Sequence, residues 1–113
     1  MKIAFDVDDT LIIPPCVNGL DIDTPNYEVI AIYKWFQSQG HDMIVWSGSG
    51  LDWARRWSEK LGLQPCTIRT KEKANWGEVD ICFDDCDVDL AKVNIKVKRL
   101  KNNISRKENN ERI

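Results

Sequence analysis

The chain has 113 residues, 42% of them hydrophobic and 30% charged, which suits one compact domain around a single core and leaves no room for a second. No apolar run is long enough to cross a bilayer, and Asp6, Asp8 and Asp9 interrupt the segment where a signal peptide would need its apolar centre. The net charge of −2 hides a split: residues up to Ala91 carry 8 Lys+Arg against 16 Asp+Glu, and those from Lys92 onward carry 8 against 2. So acidic a body disfavours nucleic acid as a partner, and the basic end reads as a solvated, flexible tail over residues 101–113 behind a domain of residues 1–100.

Taken in chain order, Ile3, Ala4 and Phe5 predict a short buried strand that ends at Asp6. Residues 12–19, with paired prolines and Asn18-Gly19, predict an irregular loop. Thr24 as cap and Pro25 at the first helical position open a predicted helix over residues 25–39, with Val29, Ile32, Tyr33 and Phe36 as its apolar face and Gly40 as its stop.

The apolar run from Met43 to Trp46 predicts a central parallel strand, closed by Ser47-Gly48-Ser49-Gly50. A second helix begins near Leu51, with Ala54, Trp57 and Leu61 facing inward. Residues 66–68 and 79–83 predict two more strands, and residues 94–100 a short edge strand. Trp35, Trp46 and Trp57 are assigned to the core, while Trp53 and Trp76 fall nearer the loops that follow the strands.

Alternation of strand and helix argues for an α/β domain, a Rossmann-like, doubly wound sheet of about five mainly parallel strands joined by right-handed crossovers. Ligands of such sheets bind beyond the carboxyl ends of the strands. Asp6, Ser47 and Asp84-Asp85 each follow an apolar strand, so all should converge on one edge of the sheet. Carboxylates crowded there repel one another unless a cation or a proton is supplied.

Cys16, Cys66, Cys82 and Cys86 form no C-x-x-C pair and His41 has no sulfur neighbour in sequence, which argues against structural zinc. Reduced thiols in a cytoplasmic protein are the expectation.

The segment Asp6-Val7-Asp8-Asp9-Thr10-Leu11 resembles the first motif of the haloacid dehalogenase (HAD) superfamily, an apolar strand followed by Asp-x-Asp-x-Thr-Leu. Ser47 matches the second motif, the hydroxyl closing the next strand, and Asp84-Asp85, with Asp89 beyond, resembles the acidic fourth motif. Lys73, with Lys71 as its substitute, fills the place of the family's lysine. Together these pieces span residues 3–89 in the family's order.

The resemblance implies a phosphomonoester hydrolase that works through an aspartyl-phosphate. Asp6 is then the nucleophile and Asp8 the acid/base, with Ser47, Gly48 and Lys73 holding the phosphoryl group. Mg2+ is held by Asp6, the backbone carbonyl of Asp8 and Asp85, and Thr10, Asp84 and Asp89 support the site. Neither gap has room for a cap domain, so the site is open to a nucleotide, another bulky phosphate or a phosphorylated macromolecule, or is covered by a subunit neighbour. Two other readings share these residues. A receiver domain carries its phosphorylated aspartate after the third strand, where this chain has Thr67-Ile68-Arg69 and no carboxylate. A binding protein that kept the fold and lost the activity is the other.

Overall fold

The computed structural model describes residues 1–72 and 78–100, apart from the side chains of Cys16 and Asn18. In chain order the elements are β1 (Lys2–Asp6), β2 (Ile12–Ile13), α1 (Pro15–Asn18), β3 (Thr24–Pro25), α2 (Tyr27–Ser38), β4 (Asp42–Ser47), α3 (Leu51–Lys60), β5 (Thr67–Thr70), β6 (Ile81–Asp84) and β7 (Val93–Lys96). Five strands form a parallel sheet in the order β5-β4-β1-β6-β7, and β2 and β3 form a small antiparallel pair beside it. No helix among the described residues is long and apolar enough to cross a membrane.

Strand β1 is central because both of its faces are apolar and buried from Ile3 to Phe5, the composition an interior parallel strand requires. Its odd residues, with Met43, Val45 and Phe83, face a core built with Val29, Ile30 and Tyr33 of α2 and Ala54 and Trp57 of α3. Phe5 stacks on Phe83 at 4.4 Å between ring centroids and meets Tyr33 edge-on at 5.2 Å. The even residues Ala4, Ile44, Trp46 and Cys82 form a second core with Val79 and Ala91, against which Val88 and Leu90 pack. Both longer helices contribute to the first core. The helix layer that double winding would add on the second face is not found among the described residues.

Several boundaries depart from expectation. Helix α2 begins at Tyr27 with Asn26 in the cap position, whereas Thr24 and Pro25 pair with Ile13 and Ile12 as β3. A residue before proline is driven toward extended backbone. The Asn26 N–H donating to the Leu11 carbonyl at 2.9 Å prolongs that extended course.

The 12–19 segment, expected to be irregular, holds β2 and the single turn α1. Pro15 begins that turn because its missing N–H costs nothing in the first turn, and Gly19 closes it at φ +78°. Ile32 and Trp35 are exposed, 42% and 58% accessible, against the expectation that both face inward. The Tyr33 hydroxyl donates to the Leu63 carbonyl at 2.8 Å, which turns the buried stripe of α2 toward Ile30 and Tyr33. Trp46 and Trp57 are buried as expected. Strands β5, β6 and β7 run over Thr67–Thr70, Ile81–Asp84 and Val93–Lys96, each displaced by one to a few residues from its expected range.

Topology creates the site. The chain steps from β1 outward to β4 and β5, then returns to the opposite side of β1 as β6 and continues to β7. Loops leaving β1 and β6 therefore diverge, and an open parallel sheet has its ligand crevice at the carboxyl ends of two such strands.

Candidate active site

Register decides which side chains meet in this crevice. Phe5 pairs with Phe83, so Asp6 and Asp84 leave the sheet side by side at the end of the second-face row. Ser47 pairs with Thr70, which sets Lys71 one residue beyond the edge of the sheet.

Lys71 Nζ lies 3.3 Å from Asp6 Oδ1 and 2.6 Å from Asp84 Oδ2. Asp84 Oδ2 accepts no hydrogen bond of ordinary angle, so the ammonium charge itself is its partner. Asp84 Oδ1 accepts the Cys86 N–H at 2.9 Å. Thr10, fully buried, donates its hydroxyl to Asp6 Oδ2 at 3.4 Å. It is brought there by a tight turn in which the N–H groups of Thr10, Leu11 and Ile12 all point at the Val7 carbonyl, with Asp9 at φ +60°.

Asp8 emerges on the other side of this turn and takes three donors. Trp53 Nε1 reaches its Oδ1 at 3.1 Å, and the hydroxyls of Ser49 and Ser47 reach Oδ2 at 3.3 and 3.5 Å. Ser47 in turn accepts the Ser49 N–H at 3.0 Å. A Cβ at Gly48 would meet open space, so the backbone there borders the mouth of the site.

Asp85 is buried and accepts Arg99 Nε at 2.7 Å, and Asp89 is exposed farther along the loop. Lys73 and Trp76 lie outside the described residues. Among the described residues, Lys71, the substitute for Lys73, is the lysine set against Asp6.

Arg99 and Ser49 were not anticipated. Strict alternation from Ile95 through Val97 to Arg99 was the available signal for Arg99, because it aims the guanidinium to the side on which Val97 packs against the core.

Electrostatics follow from burial. The Asp6 carboxyl is pushed up to about 7 from 3.8, first by desolvation, then by the Asp84 charge, with Lys71 opposing and the bond to Asp85 adding to the rise. Asp85 is held below the usual range, since Arg99 and the bond to Asp6 outweigh its burial. Burial pulls the Lys71 ammonium down, but Asp84 and Asp6 outweigh it and hold the group above the lysine range. Asp9 is raised by burial and by Asp85.

Among the described residues, three buried carboxylates thus share the two cations Lys71 and Arg99. Asp84, Asp85 and Cys86 have ligand atoms within 4.8 Å of one another. The carboxylates among them are the hard oxygen donors that a divalent cation such as Mg2+ prefers, whereas the Cys86 thiol suits softer metals.

Comparisons found no relatives. No family model, no curated protein and no solved structure matches the chain.

A cavity of about 530 Å³ lies at the opposite end of the sheet, bordered by Lys2, His41, Asp42 and Thr67. It contains none of the clustered carboxylates, so size alone does not mark the reactive place. A second groove of about 340 Å³ is lined in part by Trp53, the residue bonded to Asp8.

The raised Asp6 value has a consequence for folding. In metal-free protein the unfolded chain ionises Asp6 near 3.8 and the folded chain near 7, so between these values the folded state holds the extra proton. Stability is therefore complete below the lower value and falls as pH rises through the higher one, by about 1.4 kcal/mol per pH unit of difference. Urea unfolding in chelator should show a midpoint that drops between pH 5 and pH 8, and a midpoint that is flat over this range would contradict a proton held on buried Asp6.

Proposed function

We propose that this chain is a magnesium-dependent phosphomonoester hydrolase of the HAD type, without a cap domain. The observation that carries this reading is Asp6: a buried carboxylate at the carboxyl end of the central strand, flanked by Lys71 at 3.3 Å and Thr10 at 3.4 Å, with Asp8 two residues on. A carboxylate serving only the fold has no need of burial beside two other acids, because isolated buried charge is costly.

In this reading an Asp6 oxygen attacks phosphorus in line, and the bond to the leaving oxygen breaks as Asp8 gives that oxygen a proton. Asp8 then takes a proton from water, whose oxygen attacks the aspartyl-phosphate. Phosphate leaves and the Asp6 carboxylate returns. Trp53 and Ser49 orient Asp8 for both steps. The Ser47 hydroxyl and the backbone at Gly48 face the phosphoryl oxygens, and Lys71 balances charge on nucleophile and phosphoryl group.

By the family resemblance Asp6, Asp85 and the Asp8 carbonyl would hold Mg2+, which would supply charge neutralisation at the phosphoryl group. Arg99 fixes the orientation of Asp85 through a charge-assisted bond.

Phosphate release from acetyl phosphate, sugar phosphates, nucleotides and phosphopeptides, with Mg2+ or with chelator, tests the reading. Mg2+-dependent turnover is the expected result. A stable phosphoaspartate without turnover would favour receiver-like signalling, and no reaction on any substrate would favour a binding role.

A further inference from the structure

The leaving group of the substrate has a candidate subsite on α3. A groove of about 340 Å³ runs between that helix and the loop joining α1 to β3, within the size range of small-molecule sites. Trp53, Arg56, Trp57 and Lys60 line the helix side, and Asp21, Ile22 and Asp23 line the loop side. Trp53 joins the groove to the reacting centre, since its Nε1 donates to Asp8 at 3.1 Å, and Asp8 is the residue that protonates the leaving oxygen.

The chemistry of the two walls selects an occupant. Trp57 is buried, meets Trp53 edge-on at 6.1 Å, and carries the Lys60 ammonium 5.0 Å from its ring centroid. The aromatic ring left for a ligand is that of the half-buried Trp53, opposite Ile22, which is 66% accessible. Arg56 pairs with no carboxylate among the described residues, so its five N–H donors are free for ring nitrogens and carbonyls. Asp21 and Asp23 offer acceptors for hydroxyl and amino groups. Two cations and two carboxylates leave the groove near neutrality, which gives a polyanionic leaving group no advantage there.

We propose that the groove takes a nucleoside, so that the substrate is a nucleoside monophosphate: its one phosphate at Asp6, its base against Trp53, and its hydroxyl and amino groups toward Asp21 and Asp23. This rests on the phosphatase reading and adds a substrate class to it. A base stacked on one tryptophan separates the nucleotide from a sugar phosphate of the same phosphoryl group by about ten-fold or more.

The test pairs a binding measurement with a catalytic one. Calorimetry with Asp6→Asn protein in Mg2+ compares adenosine 5′-monophosphate, ribose 5-phosphate, adenosine 5′-triphosphate and O-phosphotyrosine. The monophosphate should bind at least about ten-fold more tightly than ribose 5-phosphate and no more weakly than the triphosphate. It should quench tryptophan fluorescence, with the quench lost in Trp53→Phe and the affinity reduced in Arg56→Ala. Equal affinity for the nucleotide and ribose 5-phosphate, or preference for O-phosphotyrosine or the triphosphate, would overturn the proposal. Acetyl phosphate, which has no ring to place, separately reports the phosphatase reading: its hydrolysis by wild-type protein sustains that reading whatever the groove binds.

Discussion

Asp6→Asn should lower Mg2+-dependent phosphate release by at least about a thousand-fold while leaving the fold intact, because the amide keeps the shape and loses the nucleophilic oxygen. Asn keeps one acceptor oxygen for Lys71, and its amide N–H can donate to the Thr10 hydroxyl, so both partners that hold Asp6 at 3.3 and 3.4 Å stay satisfied. The same substitution removes a carboxylate whose ionisation opposes folding. In chelator at pH 8 the variant should therefore unfold at higher urea than wild type, and the fall in stability between pH 5 and pH 8 should shrink. Lost turnover with raised metal-free stability is a joint signature that misfolding cannot produce. Retained turnover would remove Asp6 from the chemistry, and a variant less stable than wild type at pH 8 would mean that the buried carboxylate supports the fold.

Lys71→Ala should be the most destabilising single change at the site. Exposed pairs such as Arg55 with Asp52 and Lys96 with Asp87, whose acids are 93% and 87% accessible, contribute about 1 kcal/mol or less. Lys71 differs because its partners are 5% and 0% accessible and neither can regain water when it is removed. Breaking a buried pair from one side costs about 3–5 kcal/mol, a large share of the about 5–15 kcal/mol that holds a domain of this size. Urea unfolding in chelator at pH 8 should show that loss, and the loss should diminish near pH 5, where Asp6 is protonated.

Lys71→Arg keeps the charge and guards against outright failure to fold, while Lys73→Ala tells the two lysines apart. Turnover should drop with Lys71→Ala and survive Lys73→Ala. The reverse pattern would give the phosphoryl-facing role to Lys73.

Much of the site could be read from the chain because parallel sheets impose a simple rule. An apolar run of four or five residues is a buried strand, and the polar residue ending it stands at the edge where ligands bind. Asp6, Ser47, Asp84 and Asp85 all satisfy that rule: Asp6 and Asp84 share Lys71 at the ends of adjacent strands, and Ser47 reaches Asp8. The helix boundary at Pro25 failed for a local reason. Thr24-Pro25 is equally good as a cap and as an extended pair, and only the presence of Ile12 and Ile13 alongside selects the second. Trp35 misled because a helical stripe about 100° wide admits several rotations, and the tie from Tyr33 to Leu63, far away in sequence, chose among them.

By itself the sequence determined the order of the five sheet strands and the two longer helices and the acids at the strand ends, since these depend on local hydrophobic period and chain punctuation, whereas the central place of β1 and the β2–β3 pair came from tertiary pairing. The tertiary structure alone decided that Lys71 meets Asp6 and Asp84, that Arg99 holds Asp85, and that Trp53 reaches Asp8. Those contacts span 65, 14 and 45 residues, and each is set by strand register and helix rotation, which no local pattern encodes.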